Sequence, residues 1–132
     1  ILILGAYYLV VIMGYLLFEM VPINYRPILI DGNLEASYPS STTLLVLSVM
    51  PTLKYQTDRR IANQMFKKTI TIFVIVFSAF MVIGRLIAGV HWITDIIGSI
   101  FLSSGLFMIY RFVAEYIGQK KTFLKAEASN GV

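Results

Sequence analysis

A histidine and an aspartate stand four residues apart in the segment GRLIAGVHWITD, residues 84–95. On a helix, this spacing would place both side chains on one face, about one turn apart. The carboxylate could then accept the Nδ1–H of the imidazole, which fixes the tautomer and leaves Nε2 free as a base or nucleophile. His91 and Asp95 are therefore a candidate catalytic pair. The alternative is a polar pair that only packs helices together.

Two arginines are candidates for binding an anion. Arg26 precedes Pro27, which disfavours helical backbone at Arg26 and favours a turn or an extended conformation. Arg85 lies six residues before His91. Either guanidinium could simply anchor to lipid phosphates at a membrane surface. If both approach the same helix start, they predict a cradle that holds one phosphate through paired hydrogen bonds.

A helix start of this kind is indicated by the stretch YPSSTTLLVLSV, residues 38–49. Hydroxyl side chains before an apolar run can cap the free amides of a helix. The same amides and the helix dipole also attract anions. Ser40, Ser41 and Thr42 are therefore candidates for phosphate binding as well as for capping, and we expect Thr43 to serve only in capping or packing.

The elements that must position these residues are membrane helices. Of 132 residues, 58% are hydrophobic and 14% are charged, whereas a soluble domain has about 25% charged residues. The apolar segments are Ile1–Phe18, Thr42–Leu53, Thr69–Gly84 and Trp92–Phe112. A bilayer core requires about 20 helical residues, so the second segment is marginal. The sequence predicts an all-α membrane bundle of about four transmembrane helices over residues 1–119, with a polar, disordered tail at 120–132.

The basic residues orient this bundle. Nine of the eleven lysines and arginines lie after the second segment, at the end of the fourth or in the tail: Lys54, Arg59, Arg60, Lys67, Lys68, Arg111, Lys120, Lys121 and Lys125. With alternating segments they share one side, which the positive-inside rule assigns to the cytoplasm. The candidate site then faces the outside of a plasma membrane, which we expect to be bacterial. These cations are juxtamembrane and not interleaved with exposed aromatic residues, which argues against nucleic-acid binding.

The order and spacing of these residues resemble the type 2 phosphatidic acid phosphatase superfamily. Its first motif is lysine, six residues, arginine-proline, and its second is proline-serine-glycine-histidine. Its third is serine-arginine, five residues, histidine, three residues, aspartate. The corresponding residues here are Arg26-Pro27, Pro39 to Thr42, and Arg85 with His91 and Asp95. The resemblance covers essentially the whole chain, and implies that these are the last four of six transmembrane helices.

The resemblance implies a metal-independent phosphatase, without a cofactor, that acts on a lipid phosphate or diphosphate among membrane lipids. His91 would form a phosphohistidine that water then hydrolyses, and Asp95 would orient its ring. Phosphatidic acid and a prenyl diphosphate are examples of such substrates. The phosphate would be held by Arg26, Arg85 and Ser40, with backbone amides at Ser40 and Ser41. Nothing in the sequence indicates the oligomeric state.

Three departures from the family pattern change a group that could act on the phosphate or the leaving group. Glu19 replaces the first-motif lysine, Gly84 replaces a serine, and Thr42 replaces the histidine that protonates the leaving group. Loss of a general acid typically costs about 10²–10⁴-fold in rate. Glu35, Tyr38 or water could supply the proton, or a diphosphate could leave without one, which is the explanation we favour. The other hypotheses are a protein that binds lipid phosphates without hydrolysing them, and a structural or transport subunit.

Overall fold

The structure is a computed structural model that describes residues 1–130. It contains four α-helices: α1 (Leu2–Met20), α2 (Ser41–Arg60), α3 (Gln64–Ile87) and α4 (Ile93–Asn130). Within the described range, extended pairing is limited to two isolated bridges in the connection between α1 and α2. The all-α fold is confirmed.

The four helices alternate in direction, and α2 packs against the other three. At one end, Arg85 near the end of α3 contacts Thr42 at the start of α2. Towards the other end, the Gln56 side chain of α2 donates to the hydroxyl of Tyr110 in α4, 2.6 Å away. We call these ends the His91 end and the basic end. The His91 end holds the end of α1, the starts of α2 and α4, and the end of α3.

Three of the four helices are long and apolar enough to cross a membrane: Leu2–Met20, Gln64–Ile87 and Ile93–Ser129. The second segment does not meet this criterion, because α2 carries charged residues in its last turns and hydroxyl groups throughout. Its polar side is hidden inside the bundle, where Thr43, Ser48 and Thr52 are buried. Small and polar residues of this kind let membrane helices approach each other closely.

A small core joins α1, α2 and α4. Its buried members are Tyr7, Val11, Leu44 and Tyr110. The hydroxyl of Tyr7 donates to the backbone carbonyl of Ser48 at 3.3 Å, so the core also contains polar links between helices.

The predicted tail is helical where the structure describes it. α4 continues to Asn130, although its last turns are exposed and polar. Lysine, alanine, glutamate and leucine dominate this stretch and are strong helix formers, which explains the extension. Residues 131 and 132 of the predicted tail lie outside the described residues.

The connection between α1 and α2 contains a short hairpin, residues 24–37. The Arg26 amide donates to the carbonyl of Glu35 at 3.0 Å, and the Ser37 amide donates to that of Asn24 at 2.8 Å. The turn lies at Asp31 and Gly32, with φ of 48° and 78°. Two consecutive positive φ angles are typical of a two-residue hairpin turn, for which Asp-Gly is a favoured pair. The hairpin folds back so that both its ends reach the start of α4.

Candidate active site

His91 lies in the connection between α3 and α4, just before α4 begins, and not on the helix that its spacing predicted. Its side chain is buried, and Nδ1 lies 2.9 Å from the backbone carbonyl oxygen of Ser37. A carbonyl can only accept, so the hydrogen of the neutral ring belongs on Nδ1. Nε2 therefore carries no hydrogen, and its lone pair is available to act as a nucleophile or base.

Asp95 does not make the hydrogen bond to His91 that its spacing predicted. Its Oδ2 lies 3.9 Å from Nδ1 of His91, beyond hydrogen-bond distance. Instead, Oδ2 accepts the backbone N–H of Trp92 at 2.9 Å, and Oδ1 accepts from Nδ2 of Asn24 at 3.2 Å. Trp92 directly precedes α4 and Asp95 is its third residue, so this is the carboxylate half of a capping box. The carboxylate acts on the imidazole through its charge.

Arg85 connects α3 to the start of α2. Its Nε donates to the hydroxyl oxygen of Thr42 at 2.8 Å, and its Nη2 donates to the same oxygen. The residue at the second-motif histidine position therefore serves as an acceptor for Arg85. A hydroxyl has two lone pairs and one hydrogen, so Thr42 can still donate to a ligand while it holds Arg85.

Arg26 is held beside the site by the hairpin. Its Nε lies 3.3 Å from Oε2 of Glu35, which makes an ion pair. The two atoms are not aligned for a hydrogen bond, and this buried Nε has no other partner among the described residues. Arg26 therefore retains a donor that is shielded from water and not satisfied by the protein.

Three buried hydroxyl groups near the start of α2 are also without hydrogen-bond partners in the described part of the chain. Ser40 directly precedes α2 and is fully buried, but its side chain makes no capping bond. Its Oγ has no hydrogen-bond partner in the described part of the chain, and neither do those of Ser37 and Thr43. An unsatisfied buried hydroxyl costs about 1–3 kcal/mol, so a polar ligand there would be stabilised. Ser41 is half-buried in the first turn of α2.

The electrostatic environment of His91 links these groups. Burial lowers the pKa of His91 below its usual 6.5, and the positive charges of Arg26 and Arg85 lower it further. The Ser37 carbonyl and the Asp95 carboxylate oppose this shift without reversing it. The imidazole is therefore neutral at pH 7. Both guanidinium groups lie close enough to act on one ring, as expected of a common anion site.

The two remaining departures lie at the edge of the site. Glu19 is exposed in the last turn of α1, and the ion pair of Arg26 is made with Glu35 rather than with Glu19. A side chain at Gly84 would meet nothing within 4 Å, so the missing serine leaves open space. Asp31 lies at the tip of the hairpin, away from these groups in the fold.

Sequence reasoning missed three groups that build the site. These are the carbonyl of Ser37, the amide of Asn24 and the indole of Trp92, whose Nε1 donates to the carbonyl of Tyr25 at 2.8 Å. The residue type does not indicate which backbone carbonyl will accept a hydrogen bond from a distant side chain. The aspartate three residues after Trp92 was the available signal for the cap, since an acidic residue at that position commonly bonds back to the helix start.

A family model described as the PAP2 superfamily matches residues 2–117, which include all these site residues. The chain belongs to the PAP2 superfamily. The match confirms the family resemblance seen in the three motifs. Neither the curated proteins nor the solved structures that were compared with the chain gave a match.

Membership of the PAP2 superfamily indicates phosphatase activity on lipid-like phosphates. Among residues 1–130, no group of three or more histidine, aspartate or glutamate side chains could hold a metal ion. The chemistry available to this PAP2 protein from its own residues is that of one imidazole, two guanidinium groups and several hydroxyls.

Proposed function

We propose that this PAP2 protein hydrolyses a lipid phosphate or diphosphate at the extracytoplasmic membrane face, with His91 as the nucleophile. The observation that carries the proposal is the state of His91. Its ring is buried, neutral and bonded through Nδ1 to a carbonyl, while two guanidinium groups act on it. A neutral imidazole beside positive charges suits attack on a phosphate anion, because the charges bind the anion without protonating the nucleophile.

In the first step, the Nε2 lone pair attacks phosphorus and the bond from phosphorus to the leaving oxygen breaks. The electron pair of that bond departs with the leaving group. The imidazole becomes positively charged as the new nitrogen–phosphorus bond forms. The carbonyl of Ser37, which accepts Nδ1–H, and the charge of Asp95, 3.9 Å away, both stabilise that positive charge.

In the second step, water attacks the phosphohistidine and loses a proton to the solvent. The nitrogen–phosphorus bond breaks, and its electron pair returns to Nε2. Throughout, Arg26, Arg85 and the hydroxyl of Ser40 would donate to the phosphate oxygens. Two buried groups support this assignment: the Nε of Arg26, which has an ion pair but no hydrogen bond, and the Oγ of Ser40, which has no hydrogen-bond partner among the described residues. Such groups are stabilised when an anion accepts from them.

The leaving group determines which lipid suits the site. Thr42 cannot act as an efficient acid, because the pKa of an ordinary hydroxyl is far above 7. A lipid diphosphate expels a phosphate monoester, which is stable as an anion, whereas phosphatidic acid expels an alkoxide that requires a proton. We therefore assign lipid diphosphates as the better substrates.

The hairpin supports a lipid substrate over a soluble one. Its exposed large side chains are mainly apolar: Tyr25, Ile28, Leu29 and Leu34. They follow α1 in the chain, whose large apolar side chains are also mostly exposed, and the same hairpin carries Arg26 and the carbonyl that binds His91. An apolar surface that joins a membrane helix to the site suits a substrate whose headgroup enters from the bilayer.

The test is phosphate release from matched lipid phosphates and diphosphates by the purified full-length protein. We expect release from diphosphates to exceed release from monophosphates, and expect His91→Ala to abolish both. His91→Asn is the sharper variant, since its amide can still donate towards Ser37 but offers no nucleophile. Arg60→Gln, at the basic end, is the matched control and retains activity. Equal rates on both lipid classes would contradict the assignment of the leaving group.

A second candidate function is a lipid-phosphate binder without hydrolysis. It is favoured by the arrangement of Thr42, which holds Arg85 and leaves no histidine to protonate a leaving group. Binding of a radiolabelled lipid diphosphate without release, and without an acid-labile label on the protein, would support this function over the first. Loss of that binding in Arg85→Gln would show that the bound ligand depends on the same arginine.

A further inference from the structure

A cavity of about 340 Å³ lies at the basic end, formed by α1, the last turns of α2 and the middle of α4. α2 has 20 residues, so its two ends are about 30 Å apart and the cavity is separate from His91. The walls contain apolar side chains, including Ile3, Leu4 and Ile117, and the cations Arg59, Arg60 and Lys121. An apolar wall beside positive charge matches the two parts of an anionic amphiphile.

The positive charge of this cavity is not neutralised by the protein. The acidic side chains nearest in the chain already have partners, because Asp58 pairs with Lys54 and Glu115 pairs with Arg111. Among residues 1–130, no ion pair within 4.0 Å involves Arg59, Arg60 or Lys121. Three cations around one cavity without an acidic partner favour an anion from outside the chain.

One of these cations is held in place before any ligand binds. Nη1 of Arg59 donates to the hydroxyl of Tyr55 at 2.6 Å, and its guanidinium carbon lies 5.3 Å from the centre of the same ring. Tyr55 packs edge-on against the buried Tyr110, whose hydroxyl accepts from Gln56 at 2.6 Å. This network links the arginine to the core, so binding there would cost less side-chain entropy than binding to a free cation.

We propose that this cavity binds the phosphate headgroup of an anionic phospholipid, with the beginning of its acyl chains along the apolar wall. The basic end is the end that the positive-inside rule assigns to the cytoplasm, where anionic lipids are abundant. The ligand is thus a lipid of the inner leaflet, bound at the opposite end of the bundle from the proposed substrate. The site does not depend on the phosphatase activity.

The test measures phosphatidylglycerol binding to the delipidated full chain in detergent by native mass spectrometry, with phosphatidylcholine for comparison. The site variant is Arg59→Gln/Arg60→Gln/Lys121→Gln. The matched control is Lys67→Gln/Lys68→Gln/Lys125→Gln, which removes the same charge without altering a residue that lines the cavity. Both variants keep the His91 end intact. We expect the site variant to bind phosphatidylglycerol at least about tenfold more weakly than the control variant.

A second variant keeps Arg59, so that the packing around Tyr55 is not altered. Arg60→Gln/Lys121→Gln changes only exposed residues, and we expect it to weaken phosphatidylglycerol binding by about fivefold or more. Equal loss in the site and control variants would overturn the proposal, as would equal affinity for phosphatidylcholine. Displacement of the lipid by millimolar inorganic phosphate would indicate a site for free phosphate rather than for a lipid. That result would also overturn the proposal.

Discussion

The guanidinium of Arg85 donates two hydrogen bonds to a single acceptor, the hydroxyl oxygen of Thr42. Thr42 occupies the position where the PAP2 pattern has a histidine. The contact ties the end of α3 to the first turn of α2, and so fixes one arm of the proposed phosphate cradle. The threonine therefore has a positioning role that the family histidine pattern does not suggest.

Thr42→Val tests this positioning role. Valine has the shape of threonine but cannot accept from Arg85, which leaves a half-buried guanidinium without its partner. We expect KM for a lipid diphosphate to rise about tenfold or more, because the lost bonds involve a charged group. Thr42→Ser keeps the hydroxyl and is the matched control, with KM near that of the original protein. Equal KM in both variants would contradict the role.

Thr42→His tests the identity of the missing acid. A histidine there could protonate an alkoxide leaving group, so hydrolysis of phosphatidic acid should rise by up to about 10²-fold. Hydrolysis of a diphosphate should gain nothing from the histidine, because its leaving group requires no proton. The loss of the hydroxyl that holds Arg85 should weaken the binding of both lipids alike. The measurement is the ratio of the two rates. An unchanged ratio, in a variant that still binds substrate, would count against the proposed leaving-group explanation.

The protonation of His91 can be followed directly, because the chain has one histidine. The pKa of His91 is lowered in the folded protein, so the folded state binds fewer protons than the unfolded state just below pH 6.5. Its contribution to stability is therefore complete above pH 6.5 and is lost as the pH falls through the folded pKa. We expect the acid limb of kcat/KM to lie below pH 6.5 as well.

Burial is the largest cause of the lowered pKa of His91, and Arg26→Gln tests the further contribution of charge. Arg26 is the larger of the two charge effects that lower the pKa of His91, so its removal should move the midpoint up towards 6.5. The readout is an NMR titration of the ¹⁵N-labelled imidazole. Lys67→Gln removes a cation at the basic end and should leave the midpoint unchanged. A midpoint above 6.5 in the original protein would refute the assignment.

Asp95→Asn tests the capping role together with the charge. One side of the new amide would present a donor to the Trp92 amide or to Asn24, both of which already donate to this group. We expect a loss of about 2 kcal/mol in the free energy of unfolding, measured with denaturant in detergent. The pKa of His91 should also fall further, because the carboxylate raises it.

The matched control for that variant is Asp31→Asn. Asp31 is exposed at the turn of the hairpin with a positive φ, which asparagine also adopts readily. Its effect on stability should stay within about 0.5 kcal/mol. Similar losses for both variants would show that the buried capping bonds contribute little.

Gly98→Ala tests the packing that holds the start of α2. A Cβ at Gly98 would approach the Tyr38 ring within 2.1 Å, whereas one at Gly105 would meet nothing within 4 Å. We expect Gly98→Ala to lose about 1–3 kcal/mol of stability and to reduce activity, because Tyr38 lies two residues before Ser40. Gly105→Ala should be neutral or stabilising by up to about 1 kcal/mol. Equal stability of the two variants would contradict this packing.

Much of the fold was predictable because the length of an apolar segment depends only on consecutive residues. Apolar segments such as Thr69–Gly84 indicate membrane helices, and the spacing of the motifs indicates the family and the candidate residues. α2 was the uncertain helix, because its apolar segment, Thr42–Leu53, is shorter than a bilayer requires and its hydroxyl groups are polar. Its burial against three neighbours, which gives those hydroxyls a place inside the bundle, is a property of packing that no local window contains.

The candidate site was likewise predictable only in part. Residue type and order alone determined that His91, Asp95, Arg26 and Arg85 were the groups to consider. Tertiary structure decided what each of them touches: His91 donates to a backbone carbonyl of the hairpin, Asp95 caps α4, and Arg85 bonds to Thr42. The reason is physical, since hydrogen bonds depend on distances and angles between atoms far apart in the chain, and backbone carbonyls have no letter in the sequence.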